Sequence, residues 1–159
     1  MSGPSDSAAD ILAIDGTAVA IGDVALLLTG RSGSGKSDLA LRLIDGGARL
    51  IADDRVEIVI IGDRLCCRAP GAMPPELRGR IEARGIGILP VPFVEGAIPL
   101  QWAVELVPPE AVERLPAAEN RSFLGHAVPV LRLAAFEAST VTKLRLAATC
   151  GPGLIMGRE

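Results

Sequence analysis

Val24-Ala25-Leu26-Leu27-Leu28-Thr29-Gly30-Arg31-Ser32-Gly33-Ser34-Gly35-Lys36-Ser37 is the stretch that decides the fold. Its last eight residues satisfy G-x-x-x-x-G-K-[ST] at every fixed position, the spacing of a phosphate-binding loop. Glycines at 30, 33 and 35 permit backbone conformations closed to other residues and let successive N–H groups converge on an anion. The helix expected next would add its unpaired N–H groups and the positive end of its dipole. Lys36 is then placed to reach the β- and γ-phosphates of a nucleotide, and the Ser37 hydroxyl to give one oxygen to an octahedral Mg²⁺.

The flanking sequence supplies the context that the motif needs. Val24–Thr29 is short, apolar and bounded by Asp23 and Gly30, as a buried strand should be. Beyond the loop, Leu39, Leu41, Leu43 and Ile44 recur among Arg42 and Asp45 over about three turns, and Gly46-Gly47 closes the pattern as a helix C-cap would. Upstream, Ile11–Ile14 and Thr17–Ile21 flank Asp15-Gly16, which predicts a two-residue hairpin with Asp15 as a turn residue. Downstream, Arg49–Ala52 reads as a strand delivering Asp53-Asp54 at its end, where folds with such a loop keep metal ligands and general bases. Two solvated turn aspartates would look the same in sequence. Adjacent strand residues point to opposite faces, so the pair is not expected to share one role.

Further on, Val56, Ile58 and Ile60 predict a strand, Gly62-Asp63 a turn, and Leu65–Arg68 a returning strand in which Cys66 and Cys67 are packing residues. Pro75 suits the first turn of a short polar helix over Glu76–Arg84, where Glu82 and Arg84 need be no more than solubilising charges. Gly85-Ile86-Gly87-Ile88-Leu89-Pro90 is rigid and apolar, with glycines that suit a close backbone approach. Ala97–Val107 predicts a long strand with Trp102 in the core or an interface, Pro108-Pro109 a short helix through Arg114, and Val128–Leu133 another strand. A final helix over Phe136–Ala148 would bury Phe136, Val141, Leu144 and Ala148 on a broken apolar face. His126 is a lone histidine in a loop, with no companion at metal or triad spacing.

Length and composition bound the function. The 159 residues make one domain, over 10–150, between a flexible segment at 1–9 and a tail at 151–159. A net charge of −3, with only Phe93, Trp102, Phe123 and Phe136 as aromatics, argues against a nucleic-acid surface. The three cysteines form no C-x-x-C pair, which points to free thiols in a cytoplasmic protein, and no stretch reaches the roughly 18 uncharged apolar residues of a membrane span.

The loop Gly30–Ser37 with Asp38, the segment Arg49-Leu50-Ile51-Ala52-Asp53-Asp54-Arg55-Val56-Glu57-Ile58 and the later Ile81-Glu82-Ala83-Arg84-Gly85-Ile86-Gly87-Ile88 together resemble the HPr kinase/phosphorylase family, from about Ile11 to Leu133. The resemblance implies an α/β fold, a single P-loop kinase domain with a mixed sheet of the phosphoenolpyruvate carboxykinase type. It implies that Gly30–Ser37 binds ATP, that Ser37 and Glu82 hold Mg²⁺, and that Asp54 is the base for a serine hydroxyl of the phosphocarrier HPr. Asp53 would support the metal or orient its neighbour. The Glu82–Pro90 stretch, with Arg84, would serve both transfer and the reverse attack of phosphate on phosphoserine. Arg114 matches the family's later catalytic arginine, and a homo-oligomer, commonly a hexamer, is implied.

Two departures stand out. Where the family carries a histidine before a glycine, this chain has Asp15-Gly16; an aspartate cannot donate as a cation near phosphate, and acidic groups close to Asp54 would raise its pKa. The amino-terminal domain of the long members has no counterpart, and Leu131–Ser139 does not align with the family's dephosphorylation segment, so the kinase direction is better supported than the reverse. A nucleotide-binding regulatory module and a small-molecule kinase are the competing readings.

Overall fold

The computed structural model describes residues 11–158; the flexible segment expected at 1–9 lies outside them. Eleven strands and two α-helices follow in the order β1 (Ile11–Asp15), β2 (Thr17–Ile21), β3 (Val24–Thr29), α1 (Lys36–Asp45), β4 (Arg49–Ala52), β5 (Arg55–Ile61), β6 (Arg64–Arg68), β7 (Arg80–Ala83), β8 (Gly87–Pro90), β9 (Ile98–Leu106), β10 (Asn120–Phe123), β11 (His126–Leu133) and α2 (Thr140–Cys150).

Nine strands form one mixed sheet, β1-β5-β6-β9-β3-β2-β4, with β11 on β9 and β10 on β11. Only β3–β9 and β9–β11 are parallel. β6 and β11 share one edge of β9, β6 opposite Ile98–Pro99 and β11 opposite Ala103–Leu106, so the sheet curls at that junction. Both faces of the central strands are therefore covered, and their alternating side chains feed two cores. Val19, Leu26, Leu28, Trp102 and Val104 pack under the helices with Leu39, Leu43 and Leu144. Ala18, Ala20, Ala25, Leu27 and Ala103 pack inside the curl with Val56, Ile58, Cys67, Phe123 and Val128. The small residues Ala18, Ala20, Ala25 and Ala103 on the second face leave room for the curl.

α1 buries Leu39, Ala40, Leu43 and Ile44, a single stripe at helical spacing, while Asp38 complements the dipole and pairs with Arg42 one turn on. The Gly46 N–H bonds to the Arg42 and Leu43 carbonyls, and Gly47 turns the chain at φ 113°. On the other helix, the Trp102 indole N–H donates to the Ala147 carbonyl at 3.2 Å and ties β9 to α2.

Five parts of the chain differ from their sequence-based expectation. Asp15-Gly16 is not a hairpin: β1 pairs with β5 while β2 pairs with β3 and β4, so the dipeptide carries the chain from one part of the sheet to another. Residues 76–84 are not an α-helix; a 3-10 turn at Pro75–Leu77 leads into β7, whose alternation buries Ile81 and Ala83 and exposes Arg80 and Glu82. The helix opened by Pro108-Pro109 is only the 3-10 turn Pro109–Ala111. The last helix begins at Thr140, four residues past Phe136, and His126 opens β11. Cys66, Cys67 and Cys150 are free, and burial pushes the Cys67 thiol far above its usual range, as suits a packing residue.

Candidate active site

The loop between β3 and α1 has the backbone that its glycines imply: Gly30, Gly33 and Gly35 all take positive φ. Two of these positions are also closed to a side chain by packing. A Cβ on Gly30 would lie 2.7 Å from the Ser34 hydroxyl oxygen, and one on Gly35 would lie 2.8 Å from both the Ala135 Cβ and the Phe136 Cζ. Lys36 arches back over the loop, its Nζ donating to the carbonyls of Gly30 at 2.9 Å and Arg31 at 3.1 Å. Ser34 Oγ is buried in the cradle with no hydrogen-bond partner among the described residues, and Arg31 and Ser32 are exposed at its rim.

β4 ends one strand away, and its two aspartates part company there. Asp53 Oδ1 accepts from the Ser37 hydroxyl at 2.8 Å and from the Thr17 hydroxyl at 2.9 Å, which fixes the loop's serine against the sheet. Asp54 turns into the left-handed region at φ 71°, which is uncommon for a residue with a side chain and costs of order 1 kcal/mol or more. Its carbonyl is held by the Gly16 N–H at 3.1 Å. Gly16 itself has no room for a side chain, since a Cβ would meet the Leu28 carbonyl oxygen at 2.8 Å. The β1–β2 crossing thus stabilises the bend that turns the Asp54 carboxylate outward.

The β7–β8 hairpin supplies the facing wall. Ile81 and Ala83 are buried, Ile81 among the α1 side chains, which leaves Glu82 and its cross-strand partner Ile88 exposed. The strand's edge holds the hairpin in place: Leu50 donates to the Pro92 carbonyl at 2.8 Å, Val94 donates to the Leu50 carbonyl at 2.9 Å, and the Val91 N–H reaches Gly79 at 2.8 Å. Since β4 leads straight to Asp53-Asp54, docking on Leu50 brings Glu82 toward them. The electrostatics agree. The Asp53 carboxylate, then burial, then Glu82 push Asp54 above the usual carboxylate range, against the pull of Lys36.

The other sequence-derived residues sit less centrally. Arg84 is exposed in the hairpin turn, and Arg114 is exposed on the segment after the 109–111 turn. Glu113 beside it lines a cavity of about 210 Å³ with Glu119, Val130, Arg132 and Arg158. A smaller cavity of about 100 Å³ shares Glu119, Val130 and Arg132 and reaches Thr29, the residue before the phosphate loop. Asp15 forms an exposed ion pair with Arg55 at 3.3 Å, and it is Asp53 and Glu82, not Asp15, whose charges raise the Asp54 pKa. Thr17 was missed in the sequence, where a single threonine in an apolar strand carries no signal of its partner.

The sequence matches the family described as HPr Serine kinase C-terminal domain over residues 6–144. It is 41% identical over 104 residues to an HPr kinase/phosphorylase of Alkaliphilus metalliredigens, covering 64% of this chain and 33% of that protein. To an HPr kinase/phosphorylase of Exiguobacterium it is 45% identical over 89 residues, 56% of this chain and 28% of that one. The chain thus spans about a third of the length of the curated relatives it matches. The solved HPr(Ser) kinase/phosphatase of Coxiella burnetii superposes with a TM-score of 0.74 over 87% of this chain and 89% of the other, at 24% identity, and shares the P-loop fold. With a cradle of the right backbone, an aspartate pair beside it and a match spanning most of its length, the chain belongs to the HPr serine kinase C-terminal domain family.

Proposed function

We propose that this chain is an ATP-dependent serine kinase acting on HPr or a related phosphocarrier in the cytoplasm, and that it works as a homo-oligomer. The observation that carries the proposal is the division of labour at the end of β4, where Asp53 grips Ser37 at 2.8 Å and Asp54 is bent away toward Glu82. A base turned outward to solvent beside an acidic wall suits a hydroxyl arriving from another molecule.

The residues present fit the nucleotide and its metal. The orphaned Ser34 hydroxyl and the positive-φ glycines suit a phosphate in the cradle, and Lys36, freed from the Gly30 and Arg31 carbonyls, would turn its ammonium to the β- and γ-phosphates. The hard oxygens of Ser37 and Glu82 would hold Mg²⁺, with Asp53 orienting Ser37. That ion supplies neutralisation of the charge developing on the phosphoryl oxygens. Asp54 accepts the serine proton as the serine Oγ bonds to the γ-phosphorus and the bond to the β-phosphate oxygen breaks, releasing ADP. Arg114 and Arg84 are positively charged groups for the transferring phosphoryl. In reverse, inorganic phosphate would attack phosphoserine to give pyrophosphate, Asp54 returning the proton to serine.

The test is intact-mass analysis of HPr from the same organism after incubation with the protein, ATP and Mg²⁺. One added phosphate on a serine, lost in Lys36→Ala, is expected. ATP binding with HPr unmodified would leave a regulatory nucleotide-binding module, and ATP consumption independent of HPr a small-molecule kinase or hydrolase.

A further inference from the structure

Phe136 is 69% exposed, yet its ring is not adrift on the surface. Its Cζ and Cε2 edge lies against Gly35, close enough that a Cβ there would be 2.8 and 3.0 Å away. The Arg42 guanidinium stands 6.0 Å from the ring centroid and donates both to Asp38 at 2.8 Å and to the Ala135 carbonyl. Thr140 Oγ1 caps the same turn by donating to the Ala134 carbonyl. The segment after β11 is therefore clamped onto the first turns of α1, with the aromatic ring at the mouth of the phosphate loop.

A lone exposed hydrophobic side chain ordinarily needs no explanation. This one differs because three anchors converge to hold a ring in a fixed place while leaving it open to solvent. Trp102 and Phe123, by contrast, are 0% and 2% exposed in the two cores. A nucleotide whose phosphates lie in Gly30–Ser37 must lay its base beyond the loop, and a fixed ring next to Gly35 offers it an apolar face.

We propose that Phe136 is the stacking platform for the nucleobase of the bound nucleoside triphosphate, with Arg42 as a positioning residue that holds the ring. The inference rests on the nucleotide-binding reading given above. Stacking recognises the π-face that all bases share, so Phe136 contributes affinity rather than a choice among bases. The Arg42 guanidinium, 6.0 Å from the ring centroid, adds a cation–π contribution that keeps the ring in place.

The experiment is calorimetric titration of ATP and of inorganic tripolyphosphate, a probe with the phosphates and no base, into wild type, Phe136→Ala and Phe136→Trp. Phe136→Ala should weaken ATP about tenfold and change tripolyphosphate less than twofold. Phe136→Trp should bind ATP as wild type does, with its added fluorescence quenched on binding. ATP affinity unchanged in Phe136→Ala would overturn the stacking role with the phosphate loop still a binding site, and an equal loss for both probes would overturn it in favour of a packing role for the ring against Gly35. Wild type that bound neither probe would instead overturn the nucleotide reading itself and this inference with it.

Discussion

The phosphate loop is made by eight consecutive residues running from the end of β3 into the first turn of α1, whereas the hairpin that brings Glu82 toward Asp54 is held by Leu50, Phe93 and the α1 side chains packed on Ile81. In the first region sequence adjacency does the positioning, because strand, glycines and helix follow one another and the backbone has few alternatives. In the second, β7 and β8 pair only with each other, and their place depends on Ile81, Ala83 and the contact of Gly79 with the Phe93 ring. The comparison teaches that the two halves of the candidate site have separable supports: a glycine cradle set locally, and an acidic wall set by tertiary packing.

Separability can be attacked from either side. Ile81→Ala removes a fully buried side chain between the hairpin and α1 and should cost about 2–5 kcal/mol by chemical denaturation. Phosphoryl transfer should fall while nucleotide affinity stays within threefold in calorimetry; a parallel loss of both would break the distinction. Gly35→Ala works from the other side. It places a Cβ 2.8 Å from Ala135 and Phe136 at φ 100°, so nucleotide affinity should drop at least tenfold for a stability loss of about 1–3 kcal/mol, with the hairpin unaffected in hydrogen exchange.

Legibility in the sequence follows the same divide. β3, α1 and β4 stand where Val24–Thr29, the glycine pattern and Arg49–Ala52 put them. Asp15-Gly16 misled because a tight turn within a hairpin and a sharp crossing between strand pairs use the same residues; only the pairing of β1 with β5 separates them. β7 was misread as helix, although Arg80-Ile81-Glu82-Ala83 alternates at period two, because the preceding prolines suit a helix start as well as an extended chain. Phe136 has helical spacing to Val141 and Leu144, and only the start of α2 at Thr140 shows it to be free of that face. Local chemistry was readable; partners distant in sequence were not.

Smaller effects sharpen the electrostatic part. In the proposed mechanism Asp54 would act as a base only when ionised, and its pKa is raised, so transfer should fail on acidification at a pH above that of an ordinary aspartate. In the metal-free protein Glu82→Gln removes one of the charges that raise it and should move the titration of the Asp54 carboxyl, followed by NMR, downward. Asp15→Asn should change stability by no more than about 0.5 kcal/mol, because its pairing with Arg55 is exposed on both sides. An Asp15→Asn variant in which the Asp54 titration moved as far as in Glu82→Gln would show that the β1–β2 crossing acts on Asp54 electrostatically as well as through its backbone.

The most direct test of the account is the single-turnover rate of phosphate transfer from ATP to HPr by Asp54→Asn, with ATP affinity measured on the same sample. Loss of about 10²- to 10⁴-fold in rate at unchanged affinity is the outcome expected of a general base that takes no part in holding the nucleotide. Transfer at the wild-type rate would contradict it, and would remove Asp54 from the chemistry altogether.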